Sequence, residues 1–360
     1  MTKLRGALSQ IQGRYETAER SPVDDGWADE AELESPLPTT VTEERARSII
    51  ARNDSPDIPF EQSINPYRGC EHGCIYCYAR PSHAYLELSP GLDFETRLFA
   101  KTNATELLKQ ELARRGYRAK PIAFGTNTDC YQPIERRYRL MRGLLEVLSA
   151  CEHPLTIVTK SALVERDIDL LAPMARKNLV KAFVSITTLD QRLARTMEPR
   201  AASPRRRVDT LRALAQAGIP CGVMVAPLIP ALTDKSLEDV LQAGAGAGAT
   251  MAGWILLRLP NEVRPLFKEW LAAHYPQRAG HVISIVRQSR GGRENDPNFG
   301  TRMTGSGNFV ELIGKRFDLA CRRLGLNSED NHMASREGLD CSLFRPPSSK
   351  QDPAGQMRLF

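Results

Sequence analysis

Asn65-Pro-Tyr-Arg-Gly-Cys70-Glu-His-Gly-Cys74-Ile-Tyr-Cys77-Tyr78 is the stretch on which the reading of the fold turns. It places three cysteines at C-x3-C-x2-C spacing on one short loop, directly after a strand expected near 63–68. Structural zinc sites need four ligands and usually arrive as two C-x2-C pairs, or one pair with distant histidines. The other cysteines, at 130, 151, 221, 321 and 341, are isolated. Three thiolates on a tight loop suit a cubane iron–sulfur cluster with one iron left open to a non-protein ligand. A Cys3His zinc site using His72 or His83 is the alternative, although His72 lies inside the loop and could not easily swing back to the same metal.

Outward from that loop, short apolar runs alternate with amphipathic segments. Pro121–Gly125 precedes a three-and-four spacing of Ile134, Tyr138, Met141, Leu145 and Leu148. Leu155–Thr159 precedes a helix holding Ile168, Leu171 and Met174. Val180–Ile186, Cys221–Val225 and Gly253–Leu257 precede helices expected near 204–217, 234–247 and 263–274. With the first strand this makes about six strand–helix units, which argues for a parallel sheet, open or barrel-like. In such sheets ligands sit at the carboxyl ends of the strands, so the residues just after each strand are the chemistry candidates. They are Cys70–Cys77, Gly125–Asp129, Thr159–Lys160, Ser185–Thr188, Pro227 and Arg258.

Composition narrows the classes. The chain has 360 residues, 41% hydrophobic and 26% charged, enough to bury a sizeable core. No apolar run approaches ~18 residues, so no membrane span is expected. The amino terminus lacks an apolar signal segment. Eight cysteines are too sparse for a disulfide scaffold, and a reducing cytoplasm is the expected compartment. The first fifty residues carry −4 and the rest +10, a mildly basic body that leaves a polyanionic partner open. The expected organisation is an acidic, poorly ordered lead-in over 1–55, a core over 56–280, a Gly/Arg-rich and helical C-terminal extension over 281–345, and a flexible tail over 346–360.

The cysteine spacing, with an aromatic before the third cysteine, resembles radical S-adenosylmethionine (SAM) enzymes, and the chain resembles their spore photoproduct lyase-like group. Supporting stretches are Thr126-Asn-Thr-Asp129, Thr159-Lys-Ser161, Ser185-Ile-Thr-Thr188, Glu198-Pro-Arg200 and Pro227-Leu-Ile-Pro230. The resemblance implies an α/β fold, a partial (β/α)6 TIM-like barrel with a C-terminal helical extension. It implies a [4Fe–4S] cluster on Cys70, Cys74 and Cys77, with SAM chelating the fourth iron. One-electron reduction from an external donor would then cleave SAM to a 5′-deoxyadenosyl radical that abstracts hydrogen from substrate. One departure stands out. A cysteine that returns hydrogen in these lyases falls at about Gly125 here, so Cys130 is the substitute candidate.

Individual positions carry readings of their own. Lys160 ends a strand where a cation could pair the SAM carboxylate, or it is a solvated lysine. Thr126, Asn127 and Thr128 offer hydroxyl and amide groups beside a glycine, or cap the next helix. Ser185 and Thr187 alternate at a strand end and can both face the mouth. Tyr76 is placed for adenine contact, and Tyr78 for the cavity wall, with a buried core position as the alternative. The arginines at 192, 195, 200, 205, 206 and 207, against Glu198 alone, offer a phosphate contact or a solvated face, and so does the Gly/Arg stretch 287–302. Gly244-Ala-Gly-Ala-Gly248 reads as a helix end with close packing. Gln356-Met-Arg-Leu-Phe360 looks like a peptide that docks on the bacterial DNA sliding clamp, with an apolar tail tucked on the body as the alternative. The expected function is therefore radical SAM chemistry with a nucleic-acid lesion as substrate. Against it stand tRNA, a peptide or a cofactor as substrate, a non-catalytic iron–sulfur redox sensor or binding module, and a zinc-stabilised nucleic-acid binder.

Overall fold

A computed structural model describes residues 5–16, 37–328 and 338–347. Among the described residues ten strands form two sheets: β1 Thr40–Glu44, β2 Ile50–Arg52, β3 Gln62–Ile64, β4 Tyr67–Arg68, β5 Arg97–Lys101, β6 Ile122–Phe124, β7 Leu155–Thr159, β8 Val180–Ser185, β9 Cys221–Leu228 and β10 Met251–Leu256. The larger sheet has the order β10-β9-β8-β7-β6-β3-β2, with all neighbours parallel except the β3–β2 edge. Its six parallel strands follow in chain order, the open (β/α)6 arrangement expected above. A small sheet, β1-β5-β4, stands beside it.

Helices follow the strands: α1 Asp93–Thr96, α2 Ala104–Leu112, α3 Glu135–Tyr138, α4 Leu140–Ala150, α5 Ile168–Ala175, α6 Gln191–Met197, α7 Pro204–Gln216, α8 Leu237–Gly246, α9 Val263–His274, α10 Pro276–Gln288 and α11 Asn308–Leu324. The main core runs between sheet and helices, with Ile64, Phe124, Ile157, Val184 and Val223 packed among Leu108, Leu144, Leu171, Leu211 and Val240. Each such buried side chain contributes about 1.5–3 kcal/mol of transfer free energy. Gly244 abuts the Val223 side chain, where an added Cβ would come within 2.8 Å, so this glycine serves close helix–strand packing, while Gly248, at φ +97°, follows the helix end.

Three local expectations change. The helix predicted as continuous from Ile134 breaks at Arg139 (φ 51°), because the Glu135 carboxylate turns back to accept from the Met141 amide at 3.1 Å. Ile134 and Leu140 then pack with Tyr67 and Leu98 of the small sheet. Within 1–55, expected to be poorly ordered, β1 and β2 form and residues 5–16 lie against the body. Ala7 and Ile11 there join a second core with Cys74, Ile75, Tyr76, Val263, Phe267 and Trp270. The C-terminal extension is integral: α11 buries Val310, Ile313 and Phe317 in the main core, and Arg316 pairs with Glu238 of α8 at 2.6 Å. Gln356–Phe360 and the acidic run 24–34 lie outside the described residues. No helix among those described is long and apolar enough to cross a membrane.

Candidate active site

The cysteine loop follows β3 and the short β4 of the small sheet, over the carboxyl ends of the parallel strands, and is held by local turns. The Gly73 amide donates to the Cys70 carbonyl and the Cys77 amide to the Cys74 carbonyl, each at 3.2 Å, while the Ile75 amide reaches the Met197 carbonyl at 3.0 Å. Arg80, fully buried, ties the loop from outside by donating to the carbonyls of Cys74, Gly73, Pro90 and Gly91, and it pairs with Glu95. Cys70 and Cys74 are buried, Cys77 is half-buried, and none is in a disulfide.

These residues fit a cluster. Burial pushes all three thiols up, that of Cys74 to about 12. Backbone N–H groups of Ala79 and Arg80 point at the Cys77 sulfur, and that of Asp129 at Cys70, which favours thiolate and supports bound iron–sulfur groups. No three His, Cys, Asp or Glu side chains among the described residues converge on one point as a single metal ion requires. In a cluster each thiolate binds a different iron and need not converge. His72 is drawn to Asp129 instead, 3.3 Å away, and His83 Nε2 faces the Arg97 carbonyl at 2.9 Å, so neither completes a Cys3His set.

Beside the loop lies a buried polar network. The Tyr76 hydroxyl donates to Glu198 and sits 3.2 Å from the Thr187 hydroxyl, which itself donates to Glu198 at 2.8 Å. Arg207 completes it by pairing with Glu198 and donating to the Ser185 carbonyl at 3.0 Å. Burial pushes the Glu198 carboxyl up, but Arg207, Lys160 and the Tyr76 hydroxyl outweigh it and hold the group down at about 2. The Lys160 ammonium lies 5.8 Å from the Tyr76 ring centroid and has no carboxylate ion pair among the described residues. Asp129 anchors the neighbouring loops, accepting from the Thr159 hydroxyl at 2.8 Å and the Lys160 amide at 2.8 Å. Burial raises its carboxyl too, and His72 with the Lys160 and Tyr131 amides brings it down to about 2.

The predicted positions thus divide. Tyr76, Lys160, Ser185 and Thr187 come together with Cys74 and Cys77. Thr126, Asn127 and Thr128 are gathered by one side chain, Asn65, whose Oδ1 accepts from the amides of 127 and 128 and whose Nδ2 donates to Thr126. The Thr128 hydroxyl is committed to the Tyr67 carbonyl at 3.0 Å. Cys130, expected near the mouth as a hydrogen donor, is 0% exposed in the main core beside Tyr131. There Asp129 and Glu135 join burial in raising its thiol. Gly125, at φ +76°, packs so tightly on β7 that a Cβ would stand 1.9 Å from the Val158 carbonyl oxygen, which explains why no side chain occupies it.

Across the mouth, Tyr78 is 47% exposed and carries the Arg258 guanidinium 5.4 Å from its ring. Arg258 lies two residues past β10 and makes no carboxylate ion pair among the described residues; its Nη1 meets the Met303 sulfur at 3.5 Å. Arg302, paired with Asp57 at 2.6 Å, stacks 4.7 Å from Phe299, which is 60% exposed. The basic segments expected as free surface are partly used inward. Arg200 pairs with Glu71, Arg206 with Glu165 and Arg287 with Glu294, while Arg290 is buried against four carbonyls. Arg207 and Asn65 were the residues least expected here. The only acid in an arginine run, Glu198, was the available signal for Arg207.

Comparison with known proteins places this geometry. Residues 64–243 match the Radical SAM superfamily. An uncharacterized protein of Mycobacterium tuberculosis is 41% identical over 233 residues, covering 64% of this chain and 68% of that protein. One from Methanocaldococcus jannaschii is 30% identical over 215 residues, covering 59% and 76%. Among solved structures, spore photoproduct lyase complexed with dinucleoside spore photoproduct aligns with TM-score 0.56 at 17% identity, over 79% of this chain and 80% of that one. A double mutant of the lyase with bound AdoMet and the same dinucleoside aligns with TM-score 0.50 at 17% identity, over 82% and 80%. The chain belongs to the radical SAM superfamily, whose cofactors are a [4Fe–4S] cluster and SAM, and it is built on the fold of spore photoproduct lyase.

Proposed function

We propose that the chain is a radical SAM enzyme acting on a lesion or modified nucleotide in nucleic acid. Its core is taken as 56–280, with 281–345 completing the mouth. In this reading Cys70, Cys74 and Cys77 hold the cluster, and Tyr76, Lys160, Ser185, Thr187 and the backbone of 126–128 receive SAM. When bound, these groups supply a 5′-deoxyadenosyl radical once an external donor provides one electron. The chain's own residues bind, orient and exclude water. Lys160 has no ion-pair partner of its own among the described residues, which suits a ligand carboxylate.

The observation that carries the substrate reading is Arg258. Burial lowers its pKa, with Arg302 adding to the effect; Tyr78 and Asp57 offset this only in part, and no carboxylate among the described residues forms an ion pair with it. A guanidinium with no ion pair among the described residues, beside Tyr78, the residue after Cys77, suits a phosphate next to a stacked base. The solved lyase bound to a dinucleoside photoproduct supports the same class. Gly125 and the sealed Cys130 thiol argue against hydrogen return by a cysteine at the end of the second parallel strand, so the outcome differs from thiol-assisted dimer reversal.

Anaerobic reconstitution with SAM and dithionite, screened against damaged DNA, tRNA and cell extract, tests the proposal. Release of 5′-deoxyadenosine carrying deuterium from a labelled nucleic acid is the expected result. Release only with peptide or small-molecule fractions overturns the substrate, and a pale protein free of acid-labile sulfide overturns the chemistry.

A further inference from the structure

The segment 5–16 lies outside the stretch that matches the superfamily, yet it touches the cysteine loop at its backbone. The Glu95 carboxylate, fully buried, accepts from the amides of Gly6 at 2.9 Å and Ala7 at 2.8 Å while it pairs with Arg80. The Arg5 guanidinium donates to the Glu95 carbonyl at 3.0 Å. One buried acid therefore joins the segment to the arginine that holds the carbonyls of Gly73 and Cys74. The approach leaves no room for a side chain: a Cβ on Gly6 would stand 1.7 Å from the Gly73 carbonyl oxygen. Further along, the Ser89 hydroxyl donates to the Ile11 carbonyl, and a Cβ on Gly91 would lie 2.3 Å from the Ser9 carbonyl oxygen.

The same twelve residues also reach the opposite end of the barrel. The Ser9 hydroxyl donates to Glu269 at 2.7 Å, and Arg14 pairs with Glu262 at 2.7 Å, the one on α9 and the other just before it. Ala7 and Ile11 pack into the second core between the loop and α9. The loop follows the first parallel strand and α9 follows the last, and these two strands are not hydrogen-bonded to each other. The contacts are thus a tie between the two ends of an open sheet.

We propose that residues 5–16 form a strap that completes the cluster site, pinning the backbone of 70–80 through Glu95 and Arg80 and shielding its outer side from water and dioxygen. The inference rests on the cluster assignment above only for the shielding, not for the pinning. Three variants test it: deletion of residues 1–16, Gly6→Ala as a point change should the deletion fail to fold, and Gln10→Ala on the exposed side as a control. Amide hydrogen exchange of 70–80 in cluster-free protein reads the pinning, and bleaching of the reconstituted cluster in air reads the shielding.

Both strap variants should speed exchange in 70–80 by roughly tenfold or more while the strands β6–β9 stay protected, and should bleach several-fold faster, with Gln10→Ala matching the intact chain. Unchanged exchange in 70–80 for Gly6→Ala overturns the strap. Faster exchange without faster bleaching overturns the shielding. Faster exchange in a chain that never takes up iron upholds the pinning and sinks the cluster assignment instead.

Discussion

The two sides of the barrel mouth are built on opposite electrostatic plans. On the side of the cysteine loop every buried carboxylate is answered: Glu198 by Arg207 and Tyr76, Asp129 by His72 and backbone amides, Glu95 by Arg80. On the side of β10, Arg290 is met by four backbone carbonyls, but Arg258 is half-buried without an ion pair among the described residues, and Tyr78 and Phe299 are left open. A fully paired wall is rigid before anything binds and suits a group that stays for every turnover. A cation without an ion pair beside an exposed ring, as Arg258 is, suits a ligand that comes and goes.

The sharpest way to break this contrast is at the sulfurs. Cys70→Ala, Cys74→Ala or Cys77→Ala should each abolish cluster uptake, whereas Cys321→Ala and Cys341→Ala should leave it intact, measured as iron and acid-labile sulfide per chain. Full iron after any of the first three would contradict the ligand set. Next comes the paired wall. Glu198→Ala strands the buried Arg207 guanidinium and should cost about 3–5 kcal/mol by urea denaturation; a loss under about 1 kcal/mol would mean the network is not the rigid half.

A pH experiment separates the mouth from the floor beneath the sheet. His153 is buried there, with Nδ1 2.9 Å from the Pro154 carbonyl and Nε2 2.9 Å from the Tyr117 hydroxyl, and burial lowers it from 6.5 to about 4. Because the unfolded chain takes up this proton first, stability is complete above pH 6.5, drains as the pH falls toward 4, and levels off below. The shift corresponds to roughly 3 kcal/mol. Glu198 and Asp129, held near 2, stay charged across that window. His153→Gln should roughly halve the decline between about pH 7 and 4.5, leaving the share of His83, which burial also lowers to about 4; an unaltered decline would place acid sensitivity in the mouth. The smallest effect belongs to the open wall. Arg258→Met should shift unfolding free energy by only about 0.5 kcal/mol, or raise stability, because no paired charge is lost. A large destabilisation would make Arg258 structural.

Much of this was legible in the chain. The parallel strands announce themselves as apolar runs, and the cysteine spacing carries the cofactor chemistry by itself. What escaped is mostly pairing across distance. Arg207 reads as one more cation in an exposed run, since nothing local says that Glu198 turns inward to meet it. β1 and β5 are short and rich in charge, residues 5–16 carry few apolar side chains, and only their contacts with the body order them. The break at Arg139 was hidden because Glu135 acts through a backbone amide six residues on, which no hydrophobic periodicity records.

The crossing at Gly125 has a chemical consequence of its own. Two main chains run so near each other there that one substitution cannot install a sulfur at the tip of β6; β6 and β7 would first have to part. Any hydrogen handed back to a product must then come from another donor, and that constraint is written in the spacing of two backbones rather than in any reactive side chain.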